Sequence, residues 1–497
     1  MSVFTIEVLL AIAGMVLLLA EAFFPKLPLK TFGIAAIGSA IAALLLFLSS
    51  SKETASLPGF VAAWHQLDSL AIFYKGFALV TTILVLWLLL ICAPYLKRFS
   101  VDGKLGEMLA LPLIVCAGMM WMASAKDLVT VFVSLELVTV SFYVLVACTR
   151  KSVISLEAGV KYLILGALST GILVFGIAWI YGATGSLSFE GIAKACADGT
   201  SNKTALLFAT AFLLAGMGFK VAMAPFQMWV PDVYQGASIP VTTFLSVGSK
   251  AAGFIVLTRL INALTASGSM IRNEVILMLV ALGAVTILVG SLPAIYQTSV
   301  KRMLAYSSIS HAGFLVLALA CRDSDRFDLS AGGVVAFYLA TYLPMTVLGF
   351  LGLAIMRLQG RGEELQDFTG LAKRSPLLAT MLTIAFASLA GLPLTGGFLG
   401  KMFVFVGMVD HGWWIAIACA VVGAAAGFYY YFRIILAMFS PLPADEASGP
   451  LNWTLSARVL SIALGLLILI LGVYPRPLQK LLAPAPVAAT HQVAPTR

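Results

Sequence analysis

The stretch Gly216-Met-Gly-Phe-Lys220-Val-Ala-Met-Ala-Pro225-Phe-Gln-Met-Trp-Val-Pro-Asp232 interrupts a long apolar segment with a lysine and two prolines. Pro225 has no N–H and its ring clashes with the carbonyl four residues earlier, so the helical hydrogen bonds are predicted to open near Val221. Within a membrane, such freed backbone groups are tolerated only inside protein or beside water. The stretch therefore predicts a broken transmembrane helix that carries a buried lysine.

A second interruption of the same kind reads Leu-Ala-Gly391-Leu-Pro393-Leu-Thr-Gly396-Gly397-Phe-Leu-Gly-Lys401. Pro393 and the glycines after it are expected to break this helix likewise. Paired interruptions in two halves of a chain are a sequence pointer to the ion path of a transporter. An ordinary kink is the alternative at each position, because proline and glycine are frequent in membrane helices.

Long apolar runs fill the rest of the chain. A membrane span needs about 20 apolar residues, and we predict fourteen spans, numbered in chain order: 2–23, 31–50, 69–94, 106–123, 127–148, 156–182, 205–227, 238–264, 274–297, 303–321, 331–357, 377–409, 413–440 and 455–473. The runs are continuous rather than alternating, which excludes a membrane β-barrel. The fold class is thus an all-α polytopic membrane protein, with loops in the gaps between spans.

The composition excludes the soluble classes. Of 497 residues, 61% are hydrophobic and 11% are charged, and the mean hydropathy is +1.02, whereas a soluble protein is about a quarter charged. A soluble enzyme, a disordered tail protein and a nucleic-acid binder are therefore excluded. The six cysteines have no spacing that suits zinc or haem, so no metal site is predicted; they stand at 92, 116, 148, 196, 321 and 419.

The two breaks lie in spans 7 and 12, five spans apart. This separation predicts two five-span repeats, spans 4–8 and spans 9–13, and the odd number of spans places the second repeat upside down. The predicted organisation is an N-terminal three-helix segment, a first repeat, a second inverted repeat, and a C-terminal helix with a tail: 1–103, 104–265, 266–440 and 441–497.

Basic loop residues predict the orientation. One alternating set of loops contains fourteen Lys and Arg, among them the adjacent pairs Lys97-Arg98, Arg150-Lys151 and Lys301-Arg302, and the other set with the C-terminal tail contains ten. Because Lys and Arg favour the cytoplasmic side, the first set is predicted inside and both termini outside.

Four ionisable residues lie deep within their predicted spans: Glu136, Lys220, Lys250 and Lys401. A charge at the bilayer centre costs about 2.5–3.5 kcal/mol on the insertion scale, so it is expected to be paired, hydrated or used. An ion pair between Glu136 and Lys220 that holds two helices together is the structural alternative. A lysine can release its proton when buried, whereas arginine stays charged, so the four residues predict a proton relay.

Three weaker candidates accompany the relay. His311, which follows Ser310 inside span 10, could bridge two lysines as a neutral imidazole, although a structural histidine is an equal alternative. Glu157 and Lys161 are i,i+4 partners at a helix end, where they form either a surface pair or an inner proton entrance.

At these residues the sequence resembles the antiporter-like membrane subunits of respiratory complex I, a family related to Mrp-type cation/proton antiporters. The resemblance covers essentially the whole chain. Family members have Glu in the fifth helix, Lys in the broken seventh and in the eighth, and Lys or Glu in the broken twelfth, positions filled here by Glu136, Lys220, Lys250 and Lys401. The resembling stretches begin at Glu157, Ala224, Lys301 and Leu389.

Within this family the chain is most similar to the N-type branch. The L-type members have a long C-terminal lateral helix, and the M-type members have Glu where Lys401 stands.

The resemblance implies a non-redox, proton-translocating subunit of the translocase NADH:quinone oxidoreductase in the bacterial inner membrane. Its NADH, FMN, iron–sulfur clusters and quinone would belong to other subunits, and this chain would bind no cofactor or metal. Expected partners are the other antiporter-like and small membrane subunits, together with lipid.

Three alternatives stay open. One is an Mrp-type sodium/proton antiporter subunit, although a sodium site favours clustered oxygens and the deep charges here are mostly lysines. The second is the equivalent subunit of a complex linked to ferredoxin, F420 or hydrogenase. The third is a passive scaffold, which the buried lysines disfavour.

Overall fold

The computed structural model describes residues 2–24, 28–50, 59–199, 201–321, 329–441 and 449–483. Across these ranges the regular structure is helical, apart from three isolated β-bridges between loops. Thirteen helices are long and apolar enough to cross a membrane. The interrupted helix formed by Pro376–Ala390 and Gly396–Asp410 provides a fourteenth span. The predicted all-helical, fourteen-span fold is confirmed.

The observed spans 1 to 14 lie close to the predicted ones: Val3–Phe23, Leu29–Ser49, Ser69–Leu96, Gly106–Ser124, Leu128–Val146, Val153–Thr184, Lys203–Val221, Ile239–Leu264, Arg272–Ile295, Val300–Ala320, Ala331–Leu358, the interrupted span 12, Trp414–Phe439 and Leu455–Val473. Short helices lie between or after them: Gly59–Ala62, Val101–Gly103, Phe189–Ala197, Trp229–Gly236, Leu365–Phe368, Leu371–Arg374 and Arg476–Leu482. The gap 183–204, predicted as a loop, thus contains the helix Phe189–Ala197. The predicted tail beyond residue 483 lies outside the described residues.

Polar caps determine where many spans begin. A side-chain oxygen that accepts a hydrogen bond from the first helical turn satisfies a backbone N–H that has no helical partner. Asp127, for example, accepts from the backbone N–H of Thr130 at 2.7 Å and starts span 5. The same kind of cap precedes spans 1, 3, 6, 7, 10, 11 and 14: Ser2, Asp68, Ser152, Asn202, Ser299, Ser330 and Thr454.

The first predicted break is a true gap. The helix of span 7 ends at Val221, Ala222 adopts a left-handed φ of 64°, and helix resumes at Trp229. The backbone N–H of Ala224 within the gap donates to Thr286 Oγ1 at 2.9 Å, so a polar partner faces the opened ladder as expected.

The second break has the same construction. The first half of span 12 ends at Ala390, Gly391 adopts a φ of 95°, and the second half begins at Gly396. The N–H of Gly397 donates to Ser388 Oγ at 3.2 Å, which joins the two half-helices. A Cβ at Gly397 would collide with the Ser388 carbonyl, so glycine is required for this approach.

The two repeats contain the same order of elements. In each, the third span (span 6 or span 11) packs against both halves of the broken helix that follows it in the repeat. The third span is also the longest uninterrupted helix of its repeat, 32 residues in the first and 28 in the second. The inverted repeats therefore place the two breaks at equivalent positions of the two halves.

Candidate functional site

The residues predicted for the relay lie inside the protein, on spans 5, 7, 8, 10 and 12. Each of the basic residues is almost fully buried: Lys220 is 8% exposed, Lys250 2%, His311 3% and Lys401 7%. Glu136 is half-buried. Spans 7 and 8 pack against each other, span 8 reaches span 10 through Lys250, and span 10 packs against span 12. The fold therefore brings these residues onto successive neighbouring helices.

Lys220 and Glu136 have separate hydroxyl partners. The Lys220 ammonium donates to Thr139 Oγ1, and the Glu136 carboxylate accepts from Thr170 Oγ1 at 2.8 Å. Among the described residues no ion pair joins Glu136 to Lys220, so the direct pair considered as the structural alternative is absent. Thr139 lies three residues after Glu136, which places the lysine close to the carboxylate without contact.

Lys250 follows an irregular turn in span 8. The segment Leu245–Ser249 is π-helical, and Lys250 begins the α-helix after it. Single π-turns are frequent at functional sites. The Lys250 ammonium donates to the Ser308 carbonyl at 2.6 Å and to the Ser308 hydroxyl, which lies 3.2 Å from the Tyr234 hydroxyl. All these partners are neutral oxygens.

His311 lies among tyrosines. Its Nδ1 is 2.7 Å from the hydroxyl of Tyr338, and its ring centroid is 5.0 Å from that of Tyr342. The Lys250 ammonium lies 5.9 Å from the same Tyr342 ring, so one aromatic side chain separates the lysine from the histidine. Ser310, expected beside the imidazole, instead pairs with Ser291 at 2.7 Å.

Lys401 reaches back across the second break. Its ammonium donates to the carbonyls of Leu389 and Ala390, each at 2.9 Å. These carbonyls end the first half of span 12, where the helix dipole concentrates partial negative charge. The ammonium also lies 5.5 Å from the Phe314 ring. Lys401 is thus held by backbone dipoles and an aromatic face.

Glu157 and Lys161 belong to a larger charged cluster. Lys161 pairs with Glu157 at 2.9 Å and with Asp232 of the broken helix at 2.9 Å, and Arg302 lies 3.1 Å from Asp232. The hydrogen bond from Lys161 is the main reason that the pKa of Asp232 lies below its usual value, and Arg302 acts in the same direction. The pair predicted from the sequence therefore connects span 6 to the second half of the broken helix and to span 10.

A further lysine occupies the end of that half-helix. The Lys301 ammonium donates to the carbonyls of Gln235 and Ala237 at 3.1 and 2.7 Å and lies 3.7 Å from Glu363. Burial would raise the pKa of Glu363, but Lys301 and Arg357 lower it more, so this carboxyl stays ionised. The sequence predicted Lys301 as part of a loop pair, whereas it is buried beneath that surface.

Sequence reasoning missed the hydroxyl partners of the relay. Each is an isolated polar residue in an apolar span, which is a weak signal, and its lysine lies far away in the sequence; the main ones are Thr139, Thr170, Tyr234, Ser308 and Tyr338. Within the described ranges, no group of three or more His, Cys, Asp or Glu is placed to hold a metal ion.

Comparison with known proteins agrees with this architecture. Residues 125–427 match the family model for the membrane region of NADH:quinone oxidoreductase and Mrp antiporters. NADH-quinone oxidoreductase subunit N of Desulforamulus reducens is 38% identical over 419 residues, 83% of each chain, and that of Trichlorobacter lovleyi is 37% identical over 479 residues, 94% of this chain and 93% of the other. A chain of respiratory complex I from Thermus thermophilus superposes with a TM-score of 0.76 at 29% identity, over 97% of this chain and 100% of that one.

The fourteen spans, the paired breaks and the buried lysines define a membrane subunit of the antiporter-like class, and the chain belongs to the NADH:quinone oxidoreductase/Mrp antiporter family. Within it the chain groups with the subunits N of NADH-quinone oxidoreductase. The resemblance identified from the sequence is confirmed.

Proposed function

We propose that this chain translocates protons as a membrane subunit of a NADH:quinone oxidoreductase, along a relay in the order Glu136, Lys220, Lys250, His311 and Lys401. One observation carries the proposal: the three lysines are buried in the membrane-spanning region, and among the described residues their hydrogen-bond partners are all neutral oxygens. Burying a lysine in the membrane is costly, and a lysine without a direct carboxylate partner does not form a structural ion pair that would offset this cost.

The chemistry of each member suits transfer of a proton. Lysine and histidine can gain and lose a proton inside a protein, and neighbouring hydroxyls can pass it on. Between Lys250 and His311, the Ser308 hydroxyl contacts Lys250 and the Tyr338 hydroxyl contacts His311. The Tyr342 ring lies beside both, and its hydroxyl is 3.1 Å from that of Ser246. Water between these groups completes the path in this proposal.

Glu136 acts on the relay through its charge. Because it lies near Lys220 without contact, a change in its hydrogen bond to Thr170 changes the field at the lysine. A carboxylate that approaches favours the protonated lysine, and one that withdraws favours proton release. Glu136 is therefore the group through which a neighbouring subunit can load or discharge the relay.

The inverted repeats imply one half-path to each face. We assign the inner entrance to the cluster of Glu157 and Lys161, and the exit to Lys401 on the outer half of span 12. Both termini then lie on the outer face of the bacterial inner membrane. In the same scheme, residues 104–265 and 266–440 are the two functional repeats, and residues 1–103 and 441–497 flank them.

The redox chemistry belongs to other subunits in this proposal. They would carry the NADH site, FMN, the iron–sulfur clusters and the quinone site, while this chain contacts other antiporter-like and small membrane subunits and lipid. The chain would thus couple to electron transfer by conformation and electrostatics alone.

The test replaces Lys250 with Met in the intact complex. In reconstituted vesicles, quinone-coupled proton pumping and electron flow should fall together, because a coupled machine stalls when its proton path is blocked. Lys203→Met is the control, since Lys203 forms a half-exposed pair with Glu274 at 2.6 Å away from the relay. Wild-type pumping and electron flow in assembled Lys250→Met would refute the proposal.

A further inference from the structure

A second set of buried charges lies outside the relay, in the N-terminal three-helix segment. Glu7 of span 1, Lys75 of span 3 and His65 of the preceding loop are all 0% exposed. Lys75 donates to the Glu7 carboxylate and lies 2.9 Å from His65 Nε2, and His65 Nε2 lies 3.7 Å from Glu7 Oε2. Sequence analysis passed over this cluster because its members are far apart in the chain.

The tautomer of His65 follows from these contacts. Burial, and then the positive charge of Lys75, lower the pKa of His65 to about 2, so its ring is neutral. Its Nε2 faces the ammonium and accepts a hydrogen bond from it, so the ring proton is on Nδ1. That Nδ1 and Glu7 Oε2 are both buried, and within the described residues neither makes a hydrogen bond of normal geometry, although the Trp121 indole lies close to the Glu7 carboxylate. A buried polar atom without a protein partner is normally met by ordered water.

Polar groups continue on both sides of the cluster. Towards the relay, the buried Thr81 hydroxyl of span 3 has no hydrogen-bond partner within the described residues, and the buried Thr82 hydroxyl lies close to the Cys116 thiol. Thr82 lies seven residues after Lys75, on the same helix face and roughly 10 Å along it. Span 3 packs directly against the π-helical segment Leu245–Ser249 that precedes Lys250. Buried hydroxyls therefore extend from Lys75 towards the helix that carries the central relay lysine.

Towards the surface, Gln66 lines a polar cleft of about 490 Å³ together with Lys126 and Arg259. Arg259 is paired with Asp68 at 2.9 Å, and Lys126 donates to the Ala62 carbonyl at 2.6 Å. The charges around the cluster are thus otherwise engaged. The cleft opens beside the N-terminal ends of spans 1 and 3, on the face that holds the N terminus of the chain.

We propose that Glu7, Lys75 and His65 form a proton-loading site that exchanges protons with the face of the membrane holding the N terminus. In the release step, a Lys75 N–H bond breaks as His65 Nε2 gains that proton, while the Nδ1–H bond breaks and its proton passes to water. Lys75 is left neutral and Glu7 stays ionised; the reverse transfer reloads the site. The inference rests on the proposed proton-transfer role of the chain.

The test uses variants that preserve packing but prevent exchange. Lys75→Arg retains the charge beside Glu7 and cannot release a proton. In the double variant Glu7→Gln with Lys75→Met, the buried pair is replaced without leaving a lone charge, which proteins often tolerate. In the intact reconstituted complex, either assembled variant should show slower proton pumping and slower electron flow than wild type, as expected for Lys250→Met. Lys203→Met should pump normally.

A purely structural ion pair predicts a different result, namely wild-type rates of proton pumping and electron flow in assembled Lys75→Arg, and that result overturns the proposal. Lys220→Ala in the same assay separates the two hypotheses: if it also pumps normally, the relay itself is wrong. If neither cluster variant assembles, a high-resolution map of the wild-type complex decides. Water within hydrogen-bonding distance of His65 Nδ1 and Glu7 Oε2 supports the site, and its absence overturns it.

Discussion

Substituting Gly391 with alanine should disturb the relay without touching any charged residue. Gly391 closes the first half of span 12 with a φ of 95°, and a Cβ built there would lie 3.2 Å from Lys401 Cδ and 3.6 Å from Lys401 Nζ. A contact of 3.2 Å is too short for two carbon atoms, so the lysine stem has to move away from the helix end. We expect this shift to weaken or break one of its two hydrogen bonds to the carbonyls of Leu389 and Ala390.

Two effects of known size are expected. The left-handed conformation costs an alanine about 1–2 kcal/mol, which lowers the stability of the folded chain. A hydrogen bond to a charged group contributes about 1.5–3 kcal/mol, and loss of one such bond destabilises protonated Lys401 at its present position. Because about 1.4 kcal/mol corresponds to a factor of ten, the population of this state should fall at least roughly tenfold.

The matched control is Gly185→Ala. Gly185 closes span 6 with a φ of 68°, and a Cβ there meets nothing within 4 Å. It carries the same kind of backbone strain without crowding a lysine. In inverted membrane vesicles, NADH-driven quinone reduction and proton uptake would be measured and normalised to the amount of assembled complex. Proton uptake should fall several-fold in Gly391→Ala and stay near wild type in Gly185→Ala.

Proton uptake per assembled complex near the wild-type value in both variants would refute the reasoning. It would mean that the contact of Lys401 with the helix end is not part of its function. Equal loss in both would instead assign the effect to backbone strain alone.

Three further outcomes are expected. Lys220→Ala should lower proton pumping and electron flow together in an assembled complex. Glu136→Asp should retain more activity than Glu136→Ala, because charge near Lys220 rather than contact is required. Both rates are measured in vesicles. Gly397→Ala should reduce the yield of assembled complex through overpacking of about 1–3 kcal/mol, whereas Gly171→Ala, with open space around its Cβ, should not; native gels measure this. The pKa of Asp232 lies below its usual value when folded, so the stability that it contributes is present above about pH 4 and is lost as the pH falls further; Asp232→Asn should flatten the decline of Tm in that range.

The spans and their breaks were predictable because their causes are local. Continuous hydrophobicity forces a helix in lipid, and proline removes a donor wherever it stands, so Val221 was identified as the end of a half-helix from Pro225 alone. The helix Phe189–Ala197 was not predicted, because a short helix outside the membrane leaves only a weak periodic pattern among its glycine and serine neighbours.

The partners of the relay were not predictable for a different reason. Lys250 contacts Ser308, which lies 58 residues further along the chain, and Lys220 contacts Thr139, 81 residues before it. The sequence identifies an expensive charge but contains no local pattern that pairs it with a hydroxyl on another span. The same limitation hid Glu7 of span 1, whose partners Lys75 and His65 lie about 60 residues or more further along the chain.

The two broken helices and their lysines make one physical arrangement. Lys220 lies in the last turn of the first half of span 7, and Lys401 donates to the last carbonyls of the first half of span 12. A half-helix end carries partial negative charge of about half an elementary unit, enough to favour an ammonium group nearby. If a buried carboxylate were the direct partner instead, proton release would leave a full negative charge unpaired, which is strongly unfavourable in a low-dielectric interior unless water stabilises it, as proposed at Glu7 Oε2 beside Lys75. A helix end leaves only a dipole behind. Breaking the helix beside the lysine therefore allows a positive charge to be held deep in the membrane and still be given up.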